Sequence, residues 1–129
     1  MINEIFVNIP VENIERSNAF FTALGFQIFE KFSGPNNTCL TLNSTISVML
    51  TQSDNFTKMI NKPISPKGTN EAVISLGCDS IETVKNLSTK AIELGARKMS
   101  EPEDQGFMFS WGFEDLDGHI WDLFWMEKK

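Results

Sequence analysis

Apolar and polar residues recur along the chain with either a strand-like or a helical period, and the changes from one period to the other predict the strands and helices. Residues 4–11, EIFVNIPV, are rich in β-branched and aromatic residues and predict a strand. The next stretch, NIERSNAFFTALGF, has apolar residues at roughly helical spacing and predicts a helix. Asn13 can cap its start, because the side-chain oxygen can accept a free backbone N–H, and Gly25 suits the left-handed residue that follows its end.

Three further strands and a break follow this helix. The stretch FQIFEKF, residues 26–32, predicts the second strand, and TCLTLNSTISVML predicts two more on either side of Asn43 and Ser44. Residues 54–70 carry two prolines and one glycine, so they predict a short helical turn and a linker. The first module therefore has the order β-α-β-β-β and occupies residues 1–53.

The same pattern then restarts in residues 71–129. We predict a strand from EAVISLGC and a helix between Ser80 and Gly95 from SIETVKNLSTKAIELGA. A short strand and turn then follow in RKMSEPED, and two long strands follow in GFMFSWGFED and GHIWDLFWM. An offset of 67 residues places Phe6 over Val73, which indicates an internal repeat. We therefore predict one α+β domain made of two β-α-β-β-β modules.

The composition is that of an ordinary globular protein. Hydrophobic residues make up 41% of the 129 positions and charged residues 22%. A net charge of −6 without a basic cluster disfavours nucleic acid as a partner, because phosphate binding needs grouped Lys and Arg. We see neither a signal-peptide pattern nor an apolar run that could cross a bilayer, so we expect a cytoplasmic protein without a membrane partner.

The cysteine and histidine content limits redox and metal chemistry. We predict that Cys39 and Cys78 are buried thiols, because a disulfide is disfavoured in a reducing cytosol. His119 is the only histidine. A site of two histidines and one carboxylate is therefore excluded within one chain.

Two motifs resemble the vicinal oxygen chelate superfamily, which includes lactoylglutathione lyase (glyoxalase I), bleomycin-resistance proteins, fosfomycin-resistance enzymes and extradiol dioxygenases. VNIPVENIERSNAFFTALGF is similar to the opening strand and helix of that family. FEDLDGHIWDLFWM is similar to its closing motif F-x-D-P-D-G-N/H-x-x-E-L, with Leu116 in place of the usual proline. The resemblance implies a cup-shaped mixed sheet with helices outside, a small ligand in the cup, and a homodimer.

The resemblance also implies where a metal would be held. Many family members bind a divalent ion with side chains from the first and last strand of each module, and the matching positions here are Phe6, Val48, Val73 and Asp122. Three of these four side chains cannot ligate a divalent ion, which needs several ligands to offset its lost hydration. We therefore expect neither a metal nor another cofactor.

The strand positions on the same face as these four are the candidate ligand-binding residues. Ligand pockets are mostly apolar with a few orienting polar groups, although the same apolar residues are also compatible with a plain core. Asp122 either bonds a ligand or acts as a base with a raised pKa, or it is solvated or bonded to a neighbour. The predicted set is Phe6, Asn8, Val48, Leu50, Val73, Ser75, Asp122 and Phe124.

An aromatic stripe in the second module adds a further possible surface. Phe107, Phe109, Trp111 and Phe113 alternate along one predicted strand. The alternation favours a core or a dimer seam, with an aromatic binding face as the other interpretation.

Three functional hypotheses follow from the sequence. The first is a metal-free small-molecule-binding homodimer of the bleomycin-resistance type. The second is a glyoxalase-like lyase or isomerase, related to lactoylglutathione lyase, in which Asp122 is the catalytic base. The third is a protein-interaction module without a small ligand.

Overall fold

The computed structural model describes residues 1–128 and divides into two compact units, the first from Met1 to Ser65 and the second from Pro66 onward. The described residues contain two mixed sheets and three α-helices, which confirms the predicted α+β class. None of the three helices is both long and apolar enough to cross a membrane.

The first unit follows the predicted order, and the short helical turn predicted within residues 54–70 is a helix of eight residues. Its sheet has the strand order β1-β4-β3-β2, with β1 parallel to β4 and the other neighbours antiparallel. The elements are β1 Ile5–Val11, α1 Ile14–Leu24, β2 Gln27–Ile28, a 3-10 turn Glu30–Phe32, β3 Asn37–Thr41, β4 Ile46–Gln52 and α2 Ser53–Ile60.

Helix α1 begins and ends where the sequence predicts. The Asn13 side-chain oxygen accepts a hydrogen bond of 3.0 Å from the backbone N–H of Arg16, and Gly25 adopts the left-handed conformation with φ of 109°. Phe20, Phe21 and Leu24 are buried on one side of this helix. Burial of each such side chain is worth about 1.5–3 kcal/mol, so this face anchors the unit.

The strand predicted over residues 26–32 is mostly wrong. Only Gln27 and Ile28 pair with β3, and the chain then turns. Ser33 closes this turn, because its hydroxyl donates to the Phe29 carbonyl oxygen at 2.8 Å and accepts from the Cys39 N–H at 2.9 Å. A side chain that bonds local backbone in this way competes with a sheet ladder and ends the strand early.

The second unit repeats this plan with one extra short strand, β7, where the sequence predicts a turn. Its sheet has the order β5-β9-β8-β6, and β7 pairs with β8. Ser80 caps α3 by accepting from the Thr83 N–H at 3.1 Å. Gly95, predicted as the C-cap, is left-handed and directly follows the C-cap residue Leu94. The elements are β5 Val73–Gly77, α3 Ile81–Glu93, β6 Arg97–Lys98, β7 Glu103–Asp104, β8 Met108–Glu114 and β9 Ile120–Met126.

The aromatic stripe supplies much of the core of the second unit. Phe109 and Phe113 are buried, and Phe113 stacks on Trp121 with ring centroids 6.5 Å apart. Phe107 precedes β8 and is more than half exposed. The core interpretation is therefore confirmed for Phe109 and Phe113 and wrong for Phe107.

Both cysteines are free thiols. Cys39 is buried in β3, as predicted, whereas Cys78 is only half-buried. Burial raises the pKa of the Cys78 thiol, and the nearby Asp79 carboxylate raises it further. Its thiolate is therefore disfavoured, which argues against a reactive cysteine at this position.

Candidate ligand-binding site

Each sheet has a face whose side chains form the core and a face that is more open. In the first unit, Val48 pairs with Val7 and Leu50 pairs with Ile9, and both Val48 and Leu50 are fully buried. The prediction that Val48 and Leu50 lie on one face with Phe6 is therefore wrong. The alignment of the two modules by sequence placed the residues of β4 one position out of register. A shift of one residue moves every side chain of a strand to the opposite face of the sheet.

Met49 occupies the position that the sequence assigned to Val48. In the second unit Ser75 pairs with Asp122, and the 67-residue repeat relates Ser75 to Asn8. Asn8 pairs with Met49 in the first unit. Met49 is therefore the counterpart of Asp122 in the first unit.

The open face of the first unit carries a pocket of about 250 Å³. Three phenyl rings form its apolar side. The Phe6 and Phe32 ring centroids lie 6.3 Å apart, and those of Phe29 and Phe32 lie 4.9 Å apart in an edge-to-face arrangement. These rings are 38–48% exposed, which is high for phenylalanine. The full lining is Glu4, Phe6, Phe29, Phe32, Thr41, Asn43, Ser44 and Ser47.

Sequence reasoning found only Phe6 among these lining residues. Phe29 and Phe32 reach the pocket from the 3-10 turn, and the incorrect strand prediction over residues 26–32 concealed them. Ser33 was the available signal, since a serine that can bond local backbone favours a turn over a strand. The polar lining consists of one carboxylate, three hydroxyl groups and one amide.

The candidate residues of the second unit lie together as predicted. Ser75 is directly opposite Asp122, and Phe124 is opposite Gly77 on the same face. Val73 lies two residues before Ser75 on β5, so it shares this face. The structure thus brings the four predicted residues of this unit together, and their roles in binding stay predictions.

Asp122 is half-buried on β9 in surroundings that disfavour its charge. Burial raises the pKa of its carboxyl group, and the carboxylate of Glu103 raises it further. Gly112 lies directly opposite on β8, where a Cβ atom would be only 2.6 Å from the carbonyl oxygen of Trp121. Glycine is therefore required at position 112, because the backbone of β9 approaches β8 too closely there for any side chain.

Asp115 is a buried carboxylate whose structural role was not predicted from the sequence. It is 6% exposed and accepts three hydrogen bonds of 2.9 Å, from the indole N–H of Trp121 and from the backbone N–H groups of Asp117 and His119. Burial raises the pKa of Asp115, while the His119 imidazole and these hydrogen bonds lower it, and burial has the larger effect. Asp115 thus holds the last hairpin turn together and does not face a ligand.

Comparison with known proteins shows what this chain is similar to. Residues 5–43 match a family model described as bleomycin resistance protein-like N-terminal. A search of curated proteins gives no match. Many solved structures share the fold, and several are named glyoxalase/bleomycin resistance protein/dioxygenase. These structures have the fold that the resemblance to the vicinal oxygen chelate superfamily implied.

Three solved structures illustrate this vicinal oxygen chelate fold. A hypothetical protein from S. aureus is 29% identical, with a TM-score of 0.82 over 96% of this chain and 94% of that one. A glyoxalase/bleomycin resistance protein/dioxygenase family enzyme from Burkholderia phytofirmans PsJN is 20% identical, with a TM-score of 0.81 over 94% and 96%. A genomically encoded fosfomycin resistance protein from Listeria monocytogenes is 20% identical, with a TM-score of 0.70 over 100% and 95%.

In this chain, the residues at the positions where vicinal oxygen chelate proteins hold a metal are poorly suited to a divalent ion. After correction of the β4 register, these positions hold Phe6, Met49, Val73 and Asp122. Only Asp122 offers an oxygen ligand, and a thioether favours soft metals such as Cu(I). Residues 1–128 contain no group of three or more His, Cys, Asp or Glu side chains that could hold a metal ion. Neither the pair of residues in the first unit nor the pair in the second fits a divalent ion.

Proposed function

We propose that this protein binds a small organic molecule without a divalent metal and acts as a homodimer, in the manner of bleomycin-resistance proteins. The observation that carries the proposal is the pocket in the first unit, where three partly exposed phenylalanine rings meet a set of polar groups. Small-molecule sites combine apolar walls with a few polar groups that orient the ligand. The family model that matches residues 5–43 supports the bleomycin-resistance comparison.

The metal-free part of the proposal rests on the available ligands. Asp122 is a single carboxylate at the four family positions, and one carboxylate does not offset the dehydration of a divalent ion.

The homodimer rests on exposed apolar side chains at sheet edges. Strand β1 is at one edge of its sheet and β5 at one edge of the other. Ile5 on β1 and Val73 on β5 are each more than half exposed. Edge strands with exposed apolar residues favour pairing with another chain, and a second copy would remove these side chains from water.

The test combines metal analysis with a binding screen on the full chain. We expect no stoichiometric divalent metal by mass spectrometry in protein purified without chelators. A fragment screen followed by ¹H–¹⁵N NMR should give ligands that shift amides around the pocket. Phe32→Ala should weaken this binding, and Phe107→Ala, an exposed phenylalanine outside the pocket, should not. A stoichiometric ion that Asp122→Asn releases would contradict the metal-free proposal.

A second candidate function is a glyoxalase-like lyase or isomerase that uses Asp122 as a base. The observation that favours it is the pKa of Asp122, which burial and Glu103 raise toward the range useful for proton transfer. The assay is turnover of methylglyoxal with glutathione, with nickel or zinc added. This candidate requires activity that Asp122→Asn lowers by at least about a hundredfold. Absence of turnover under all these conditions would remove it.

A further inference from the structure

The three rings of the pocket offer more than an apolar wall. Phe29 and Phe32 meet edge to face at 89°, and the ring of Phe6 is tilted by 50° to that of Phe32. The rings therefore present surfaces in several directions around one small volume. The face of an aromatic ring carries negative potential and attracts a cation that lies within about 6 Å of its centre.

The polar side of the pocket also favours a cation over an anion. Glu4 is the only charged residue among the eight that line the pocket, and none of the eight is Lys, Arg or His. Lys31 belongs to the 3-10 turn but does not line the pocket. The side-chain oxygen of Asn43 already accepts from the backbone N–H groups of Thr45 and Ile46, each at 2.9 Å. Glu4 is thus the charged group available to a ligand.

We propose that this pocket binds the ammonium group of a small organic cation, an inference that rests on the proposed small-molecule function. The cation lies against Phe6, Phe29 and Phe32, and Glu4 supplies the opposite charge. A neutral aromatic ligand would leave the Glu4 carboxylate without a role, and an anion would be repelled by it. The net charge of −6 also favours the approach of cations over anions.

The experiment compares choline with 3,3-dimethylbutan-1-ol, in which carbon replaces the quaternary nitrogen and the shape is unchanged. Each compound is titrated into the full chain, and ¹H–¹⁵N NMR follows the amides of Thr41, Ser44 and Ser47. We expect choline to shift these amides and to bind at least several-fold more tightly than the alcohol. Each ring in contact contributes roughly a two- to fivefold gain for a cation at an exposed site.

Matched variants separate the charge from the rings. Glu4→Gln removes the charge and keeps the shape, and we expect it to weaken choline binding several-fold without affecting the alcohol. Phe32→Leu should weaken choline more than the alcohol. The controls are Glu30→Gln, an exposed acid in the 3-10 turn that does not line the pocket, and Phe107→Leu. Neither control should change either titration.

The outcomes distinguish this inference from the proposed function. If both compounds bind equally at these amides, the small-molecule site stands and the preference for a cation is overturned. If neither compound binds there while other fragments do bind at the pocket, the inference fails and the proposed function stands. If no fragment binds at the pocket, both fail.

Discussion

Asp115 and Asp122 lie in the same hairpin, yet the structure gives their carboxylates different parts. Asp115 is buried and accepts three hydrogen bonds, so it stabilises the turn between β8 and β9. Asp122 lies on the open face of β9, between Ser75 and Gly112. The first carboxylate is bonded within its own hairpin, and the second is half-buried on the other face of the sheet.

The role of Asp115 predicts a loss of stability on substitution. Asp115→Asn replaces one carboxylate oxygen by an N–H₂ group, so the three donors no longer all have an acceptor. We expect the free energy of unfolding to fall by about 1–3 kcal/mol, the usual effect of leaving a buried donor unsatisfied. Urea denaturation measures the change, with Glu71→Gln, an exposed acid of the same unit, as control. An unchanged midpoint would contradict this role.

The pKa of Asp122 predicts a pH-dependent effect on stability. Burial and Glu103 raise this pKa above the unfolded value of 3.8, so the folded protein binds the proton more tightly. The contribution of Asp122 to stability therefore falls as pH rises from the unfolded pKa through the folded pKa. We expect Asp122→Asn to raise the melting temperature more at about pH 7 than at about pH 4.

Thermal melts of wild type, Asp122→Asn and Glu103→Gln at the two pH values provide the measurement. Glu103→Gln removes the repulsion and keeps the burial, so it should produce a smaller effect in the same direction. An equal gain from Asp122→Asn at both pH values would show that its carboxyl group is not perturbed.

Among the elements, the 3-10 turn after β2 decides the character of the pocket. A continuous strand over residues 26–32 would place Phe29 and Phe32 on opposite faces of the sheet, because they are an odd number of residues apart. The turn instead brings both rings to one pocket. Ser33 stabilises this arrangement with two hydrogen bonds, one to Phe29 and one from Cys39.

Ser33→Ala should loosen this turn. It leaves the Cys39 N–H without its acceptor, so we expect a loss of about 1–3 kcal/mol in the free energy of unfolding. We also expect faster hydrogen exchange at Ser33 and Cys39 and weaker ligand binding at the pocket. Ser44→Ala, which removes a hydroxyl on the other side of the pocket, serves as control for stability. Unchanged exchange at Cys39 would contradict the proposed role.

At the scale of the whole molecule, two units repeat one plan with different surfaces. Both place a helix after the first strand and pair the first strand with the last in parallel. The first unit carries the aromatic pocket, whereas the second carries Asp122 and Gly112 on its open face. The two units therefore share one backbone arrangement but differ in the chemistry of their open faces.

The proposed homodimer predicts a response to charge at the sheet edges. Ile5→Glu and Val73→Glu place a charge on exposed edge strands, and a buried unpaired charge is costly at an interface. We expect sedimentation velocity to show a shift from dimer to monomer for at least one of them. Met59→Glu, at an exposed apolar position on α2, should leave the dimer unchanged. A monomeric wild-type protein would contradict the proposal directly.

The sequence by itself determined what depends on neighbours along the chain. Asn13, Gly25 and Ser80 cap helix ends as predicted, and the left-handed Gly95 lies one residue after the C-cap of α3. The apolar periods predicted the two β-α-β-β-β modules, and the two motifs indicated the resemblance that predicted the fold. Short-range rules suffice for these features because each concerns a few consecutive residues.

Only the tertiary structure decided which side chains share a face and which meet in space. Val48 and Met49 exchange faces with a shift of one residue, and nothing local to β4 specifies its pairing with a strand some forty residues earlier. Phe32 meets Phe6, and Phe29 lines the same pocket, because a turn is closed by a hydrogen bond from the Cys39 N–H of β3 to Ser33. Pairing between distant strands sets such contacts, so the pocket could not be predicted without the register of the strands.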